Sequence, residues 1–464
     1  MIAMRLSEIR DATGGRVHGE VDPESIVVDG PVTTDSRECG PGGLYVARVG
    51  EFADGHLFAA AAAAAGAVAA LTSRPLDDLP CVVVDDVQLA FGHLARAVLD
   101  RAPDLRVVAV TGSSGKTSTK DLLASVLTPS GETVAPVNSL NGEIGVPLTV
   151  CRVTPTTAFL VAEMGARGVG HIAYLTSIAP PEIAIVLNVG SAHLGEFGSR
   201  ENIAIAKAEL PRAVGPGGLS ILNADDPLVS AMATGLASRV VLVGRDPNAD
   251  VRADDVELDA RGRATYTLVT PSGRRRVTLR QSGVHHVANS LAVAAAALEL
   301  GVGLKNVAER LSAALAGSRW RMEVTERPDG VVIVNDAYNA NPESMRAALE
   351  ALAAIATDGR RWAVLGSMLE LGDDSDDEHR AVVELASHLG IDQIVAVGEG
   401  ARVMGAPHWV PDIEAAFDHI EAAVRRGDVV LVKSSRDSGL RWLGDRLAQT
   451  AQPTSPTTGE VVAQ

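Results

Sequence analysis

Short, fully apolar runs bounded by Gly, Pro or charge recur along this chain, separated by stretches with helical spacing. They predict strands over 106–110, 159–162, 183–189, 220–222 and 240–243. Strand and helix in alternation imply a parallel sheet with both faces covered. Before this stretch, strand-like pieces fall at 25–28, 43–47 and 81–84. The longest apolar run, 58–71, is mostly Ala and reads as a closely packed core helix. It is shorter than the roughly 20 residues that span a bilayer. Between 251 and 281 the period becomes two, as in ATYTLVT at 264–270, which predicts a small antiparallel insert. An Ala-rich helix over 283–300 follows. From about 318 a second α/β unit begins, with strands expected at 331–334, 362–365, 394–397 and 429–432.

The expected class is therefore α/β, in three blocks: 1–103, 104–317 and 318–450. A Pro- and Thr-rich tail over 451–464 is expected to be disordered. Hinges are expected near Pro103 and Gly317. Length agrees with this division, since 464 residues at about 150 per domain give about three.

Charge and composition narrow the function. The net charge of −17 argues against nucleic-acid binding, which needs a basic face, while leaving room for a local basic pocket. Apolar residues make up 46% and aromatic ones 3%, so the cores must be built from Ala, Val and Leu. Cys39, Cys81 and Cys151 form neither a disulfide framework nor a CxxC metal site, which fits a reducing cytoplasm. The first fifteen residues carry charges and no apolar core, so no signal peptide and no membrane insertion are expected. The basic triplet 274–276 and the acidic run 373–378 read as solvated loops.

The most informative segment is TGSSGKTST at 111–119, lying between an expected strand and an expected helix over 120–127. Such a loop brings backbone N–H groups onto phosphate oxygens, and the new helix presents its positive end to the anion. Gly112, Ser113, Ser114, Gly115 and Ser118 belong to the loop. Lys116 can neutralise terminal phosphate charge, and the Thr117 hydroxyl can coordinate Mg²⁺. Val110 stands where the usual pattern has a glycine, so this is a shortened GxxGKT version. The strand at 159–162 ends in Glu163. A carboxylate there, on a strand parallel to the one before the loop, is where a Mg²⁺ partner belongs. These features imply ATP binding without naming a reaction.

A longer series of motifs does name one. In order they are DSR (35–37), PGGLYVA (41–47), DGH (54–56), the phosphate loop, NGEIGVP (141–147) and EMGARG (163–168). NVGSAHLGEFGS (188–199), AKAEL (206–210), NADDP (223–227) and GVHHVANSLAVAAA (283–296) follow. WRMEV (320–324), NDAYNANPESM (335–345), VLGSMLELG (364–372) and VKSSR (432–436) complete the series. Together they resemble the Mur ligase family, which joins amino acids or peptides to the cell-wall precursor. The resemblance runs to about residue 446 and implies three domains: a UDP-substrate-binding domain, a central P-loop parallel-sheet domain binding ATP, and a C-terminal Rossmann-like domain.

The YNANP segment at 338–342 is similar to that of members that add a dipeptide. The implied partners are thus UDP-N-acetylmuramoyl-tripeptide and D-alanyl-D-alanine, with ATP as co-substrate and Mg²⁺ as cofactor. The implied protein is a cytoplasmic monomer. The alternative is another Mur-type or folylpolyglutamate-type ATP-dependent ligase, the latter disfavoured by the DSR-containing first block. A regulatory nucleotide-binding protein without ligase activity is a third reading.

Roles also follow from the resemblance. Lys116, Glu163, His193 and Lys207 are the implied catalytic group. Thr117 and Glu163 would serve one Mg²⁺, and His193 and Lys207 a second. A cationic Lys207 would repel a metal, but the matching family lysine is typically carbamylated, which makes it carboxylate-like. Asn289 is the implied adenine-side contact, Arg321 reaches toward phosphate and Asp336 toward ribose. Asp35, Ser36, Arg37, Asp54 and His56 mark the uridine-diphosphate end, and Asn339 and Asn341 line the dipeptide site. Three positions depart from the pattern: His286 where Asn is commoner, Ser367 where an acid is common, and Ser434 in place of Gly.

Overall fold

The computed structural model describes residues 1–50, 53–190, 194–315 and 317–449. They form two compact units. One comprises Met1–Glu257, Thr265–Arg280 and His285–Ser318. The other comprises Leu258–Ala264, Gln281–Val284 and the chain from Arg319 onward. The expected hinge near Gly317 lies beside this break.

The first unit is organised around the strand Arg106–Thr111. Thr157–Glu163 lies parallel to it on one side and Ile183–Val186 on the other. Val107 to Val110 are all buried, as a strand covered on both faces requires. Glu163 pairs in register with Val110, and Val186 with Thr111, so three carboxyl ends open at one edge. Glu132–Val134 extends the sheet on one flank, and Leu219–Asn223, Arg239–Gly244 and Val251–Leu258 on the other.

The period-two segment forms the strands Arg263–Thr270 and Gly273–Ser282. They do not make a separate insert: they continue the same sheet beyond Val251–Leu258, giving nine strands among the described residues. Ala264, Tyr266, Leu268 and Thr270 are buried in alternation with half-buried neighbours. The triplet Arg274–Arg276 lies on a strand rather than in a loop, where Arg274 pairs with Asp254 and Arg276 with Glu257.

The first block carries its own sheet, in the order Arg16–His18, Cys81–Val83, Ala67–Thr72, Gly43–Val46 and Val32–Thr33. The apolar run 58–71 is not one helix. A helix covers only Ala59–Ala64, and Ala67–Thr72 is a buried strand. Gly66 causes the change. Its φ of +110° is strained for any side chain, and a Cβ there would sit 2.7 Å from the Pro41 nitrogen.

One continuous apolar cluster draws on both sheets. Phe91, Leu94 and Val98 of the helix Val87–Leu99 join Val107 and Ala109 of the central strand and Ile172 and Leu175 of the helix His171–Ile178. Each fully buried aliphatic or aromatic side chain contributes about 1.5–3 kcal/mol. A hinge at Pro103 would have to open this cluster.

The second unit holds a six-stranded sheet: Glu323–Glu326, Val332–Asn335, Val429–Lys433, Arg361–Leu365, Gln393–Val397 and His408–Val410. The first strand is antiparallel to its neighbour and the rest are parallel. The four expected strands are its centre. The two edge strands are short and partly exposed, and neither EVTE nor HWV is an apolar run long enough to recognise. The acidic run 373–378 is likewise not a loop. It forms the turn Gly372–Asp374 and the first turn of the helix Ser375–His388, where acids meet the positive helix end.

Candidate active site

The phosphate loop opens where the strand Arg106–Thr111 ends, and the helix Lys116–Leu127 begins at once, four residues earlier than its apolar spacing suggests. The turn is made by Gly115, at φ +79°. Asn188, at the end of the neighbouring strand's loop, pins it. Its Oδ1 accepts the Ser114 N–H at 2.9 Å, and its Nδ2 donates to the Ser114 carbonyl at 3.2 Å. The Ser113 N–H reaches the Asn188 carbonyl at 3.1 Å. The Ser113 hydroxyl accepts the Gly190 N–H at 2.8 Å. Lys116 folds back to donate to the Gly112 carbonyl at 2.7 Å. Loop, lysine and helix end are thus pre-shaped for a polyphosphate.

Glu163 is fully buried at the carboxyl end of its strand. Its Oε1 accepts from the Ser139 hydroxyl and from Asn141 Nδ2, both at 2.7 Å. Ser139 Oγ lies 3.3 Å from the Thr117 hydroxyl, which links the loop to the carboxylate. Glu163 Oε2 is buried without a hydrogen-bond partner among the described residues. A buried carboxylate oxygen left open in this way is costly unless a cation completes it.

Lys207 ends the helix Arg200–Lys207 and is 5% exposed. Burial pushes its ammonium well below the usual lysine range, and the nearby charge of Lys116 adds to the effect. Two residues on, Glu209 accepts the N–H groups of Gly170 and Ala173 at 2.5 and 2.9 Å. It thereby caps the helix His171–Ile178 and ties the AKAEL segment to the chain that follows Glu163. His193 lies outside the described residues.

Asn289 projects from the helix His285–Glu299 against Gly115 and is 5% exposed. Its Nδ2 has no partner among the described residues. One helical turn earlier, buried His286 also leaves Nε2 unpartnered, and burial holds it well below the usual histidine range, so it is neutral.

In the first block, Asp35 caps the turn Ser36–Glu38 and pairs with the exposed Arg37 guanidinium. Those hydrogen bonds hold the Asp35 carboxyl at about 2. Ser36 is buried. Asp54 accepts from His56 Nδ1 at 2.5 Å and from Arg74 at 2.7 Å. His56 Nε2 accepts the Ser73 N–H at 3.3 Å, so both ring nitrogens are engaged within the protein. The Tyr45 hydroxyl donates to the Gly55 carbonyl, and its phenol is raised by burial and by the charges of Cys39, Asp35 and Asp54.

The second unit gathers the remaining residues at the carboxyl ends of its own strands. Asp336 follows Val332–Asn335, and its Oδ1 accepts the Met322 N–H at 3.0 Å. The Arg321 guanidinium stacks over the Tyr338 ring at 4.5 Å. Asn341 caps the helix Pro342–Ala354, its side chain accepting the Ser344 N–H at 2.8 Å. Asn339 is exposed. Ser434 is fully buried, and the Ser367 carbonyl accepts the Ser435 N–H at 3.0 Å.

Four residues without an assigned role stand out: Asn188, Ser139, Asn141 and Lys433. Three of them fall within the motifs already quoted, but only the hydrogen-bond pattern separates them from their neighbours. Ser139 lies just outside any motif, and no signal in the sequence marks it.

Comparison with known proteins identifies the family. The Mur ligase family catalytic domain matches residues 31–106, the Mur ligase middle domain 110–297, and the Mur ligase glutamate ligase domain 320–436. The UDP-N-acetylmuramoyl-tripeptide–D-alanyl-D-alanine ligase of Mycobacterium tuberculosis is 45% identical, across 96% of this chain and 98% of that protein. The Escherichia coli ligase of the same name is 38% identical, across 95% and 97%. Among solved structures, MurF from Acinetobacter baumannii has a TM-score of 0.86 at 33% identity, covering 96% of this chain and 99% of that one. The MurF ligase of Thermotoga maritima in complex with ADP has a TM-score of 0.78 at 29% identity, covering 91% and 99%. From its first sheet to its last, this chain is a member of the Mur ligase family.

Proposed function

We propose that this chain is the ATP-dependent ligase that joins D-alanyl-D-alanine to UDP-N-acetylmuramoyl-tripeptide, giving the pentapeptide precursor of peptidoglycan. Relatives that carry this name align with it from end to end. The observation that carries the chemistry is the open Glu163 Oε2, joined through Ser139 to Thr117 at the head of a phosphate loop.

The reaction needs such a site because a carboxylate has no good leaving group. A carboxylate oxygen of the tripeptide bonds to the γ-phosphorus of ATP, the γ-phosphorus–oxygen bond to ADP breaks, and an acyl phosphate results. The D-alanyl-D-alanine amine attacks the carbonyl carbon, loses a proton, and inorganic phosphate leaves from the tetrahedral intermediate. Both steps bring anions together, so cationic and N–H groups must already be in place. Lys116 and the N–H groups of Gly112 to Ser118 would hold the phosphates. Asn289 would contact the adenine side, Arg321 the phosphates and Asp336 the ribose. Asp35, Ser36, Arg37, Asp54 and His56 would form the uridine-diphosphate end, and Asn339 and Asn341 the dipeptide side.

The open Glu163 oxygen, linked through Ser139 to the Thr117 hydroxyl, supports Mg²⁺ as the cofactor. Thr117 and Glu163 would hold one ion, and His193 with a carbamylated Lys207 a second. Bound Mg²⁺ supplies screening of phosphate charge. Burial disfavours the Lys207 ammonium, and the unprotonated amine is the form that adds carbon dioxide, which supports that reading. We further assign three domains, at 1–103, 104–317 and 318–450, a monomeric state and a cytoplasmic location. No helix among the described residues is long and apolar enough to cross a membrane, and all three cysteines are free.

The test is a substrate panel. ADP release should require both the UDP-linked tripeptide and D-alanyl-D-alanine, and ¹⁸O from the tripeptide carboxylate should appear in phosphate. Turnover on a UDP-linked dipeptide with a single amino acid, and none on this pair, would assign the chain to another ligase of the family.

A further inference from the structure

Lys433 ends the strand Val429–Lys433, between Val332–Asn335 and Arg361–Leu365, at the carboxyl edge where α/β sheets build their sites. It is 1% exposed. Its ammonium donates to Asp336 Oδ2 at 2.6 Å and to the Asn339 carbonyl at 3.0 Å. The other Asp336 oxygen is taken by the Met322 N–H. Met322 sits at φ +51°, in the left-handed region that a non-glycine residue enters only when its surroundings hold it there. The same loop is tied a second time, because the Ser435 hydroxyl reaches the Ala340 carbonyl at 3.4 Å.

One buried side chain thus touches the residue assigned to ribose and the backbone of a residue assigned to the dipeptide. We propose that Lys433 is a positioning residue that couples the nucleotide and dipeptide subsites of the second unit, acting through Asp336 and the Asn339 carbonyl. This rests on the ligase reading above. The physical reason is charge as well as reach. Asp336 is largely buried, and removing Lys433 would take the ammonium from its carboxylate and leave the Met322 N–H on the other oxygen, in a dry environment where such a loss is costly. Burial lowers the Lys433 ammonium from its usual range, while the Asp336 carboxylate acts to keep it charged.

The experiment uses the full-length enzyme in the complete ligase assay, once the wild type has been found to turn over. Lys433→Met keeps most of the length of the side chain and removes the charge. Lys433→Gln keeps N–H donors without the charge, and serves if the first variant does not fold. The expected result is a rise of about tenfold or more in KM for both ATP and D-alanyl-D-alanine, about 1.4 kcal/mol each. The KM for the UDP-linked tripeptide, whose uridine end is assigned to the first block, should stay within about twofold, and an unchanged circular dichroism spectrum and melting profile report an intact fold. In a double-mutant cycle, Asp336→Asn combined with Lys433→Met should cost less than the sum of the two single changes. Additive effects, a rise confined to one ligand, or unchanged constants would overturn the proposal. An inactive wild type would instead overturn the ligase reading.

Discussion

Gly115 and Asn289 compete for the same space: a Cβ added to Gly115 would lie 2.8 Å from Asn289 Oδ1. The turn of the phosphate loop and the proposed adenine-side contact are therefore one packed unit. Gly115→Ala must push Asn289 away and also hold alanine at φ +79°. The backbone term alone costs about 1–2 kcal/mol. A KM for ATP raised about tenfold or more is expected, with a lower melting temperature. Wild-type values for both in Gly115→Ala would contradict this packing.

Glu163→Gln keeps the shape of the side chain and can keep both hydrogen bonds to Oε1, but it removes the charge beside the open oxygen. Turnover should fall by about 10²-fold or more, as for other losses of a group that organises transition-state charge. The Mg²⁺ concentration needed for half-maximal rate should rise. Thermal stability should hold or increase, because an incompletely satisfied buried charge is gone. Undiminished turnover with unchanged Mg²⁺ dependence would remove Glu163 from the site.

Lys207→Met should abolish turnover yet raise the melting temperature above that of wild type freed of carbon dioxide, in which Lys207 bears no carbamate and its protonated form carries the cost of burial. The sign of its pH dependence follows from the lowered pKa. Below the folded-state pKa both states carry the proton, and the burial cost is full. Between that pKa and the ordinary value of 10.5 only the unfolded chain holds it, so native stability climbs with pH. The melting-temperature gap between variant and wild type should therefore be widest at low pH and close toward 10.5. A gap that widens as pH rises refutes the assignment. Removal of bicarbonate and carbon dioxide should slow the wild type, and restoring them should recover it.

His56→Ala removes a ring whose nitrogens serve Asp54 and Ser73. Asp54 keeps Arg74, and Ser73 is exposed to water, so the loss is one of local loop geometry rather than of buried hydrogen bonds. Because this turn lies in the first block, the KM for the UDP-linked tripeptide should rise while that for ATP stays constant. A rise in both would mean that His56 supports more than the uridine end.

The central strand, the phosphate loop and Glu163 were all legible in the sequence, because each depends on short-range order. A fully apolar run makes a covered strand, Gly and Lys follow it at once, and an acid ends the neighbouring run. The helix start at Lys116 was not legible, since Lys-Thr-Ser-Thr carries no apolar face; the αL turn at Gly115 sets it. The run 58–71 misled for a related reason. Alanine accepts helix or strand, and a single left-handed glycine packed against Pro41 decides between them. Lys433 could be quoted only as part of a motif.

The sequence by itself determined which chemistry is available: a phosphate loop, a strand-end carboxylate, a helical lysine, and the ordered motifs of a ligase family. The tertiary structure decided how that chemistry is tuned. It buried Lys207 until its ammonium is disfavoured, left one oxygen of Glu163 open, closed both nitrogens of His56, and set Lys433 between Asp336 and Asn339. Desolvation and hydrogen-bond partnership depend on neighbours brought from distant parts of the chain, and no local pattern of residues encodes them.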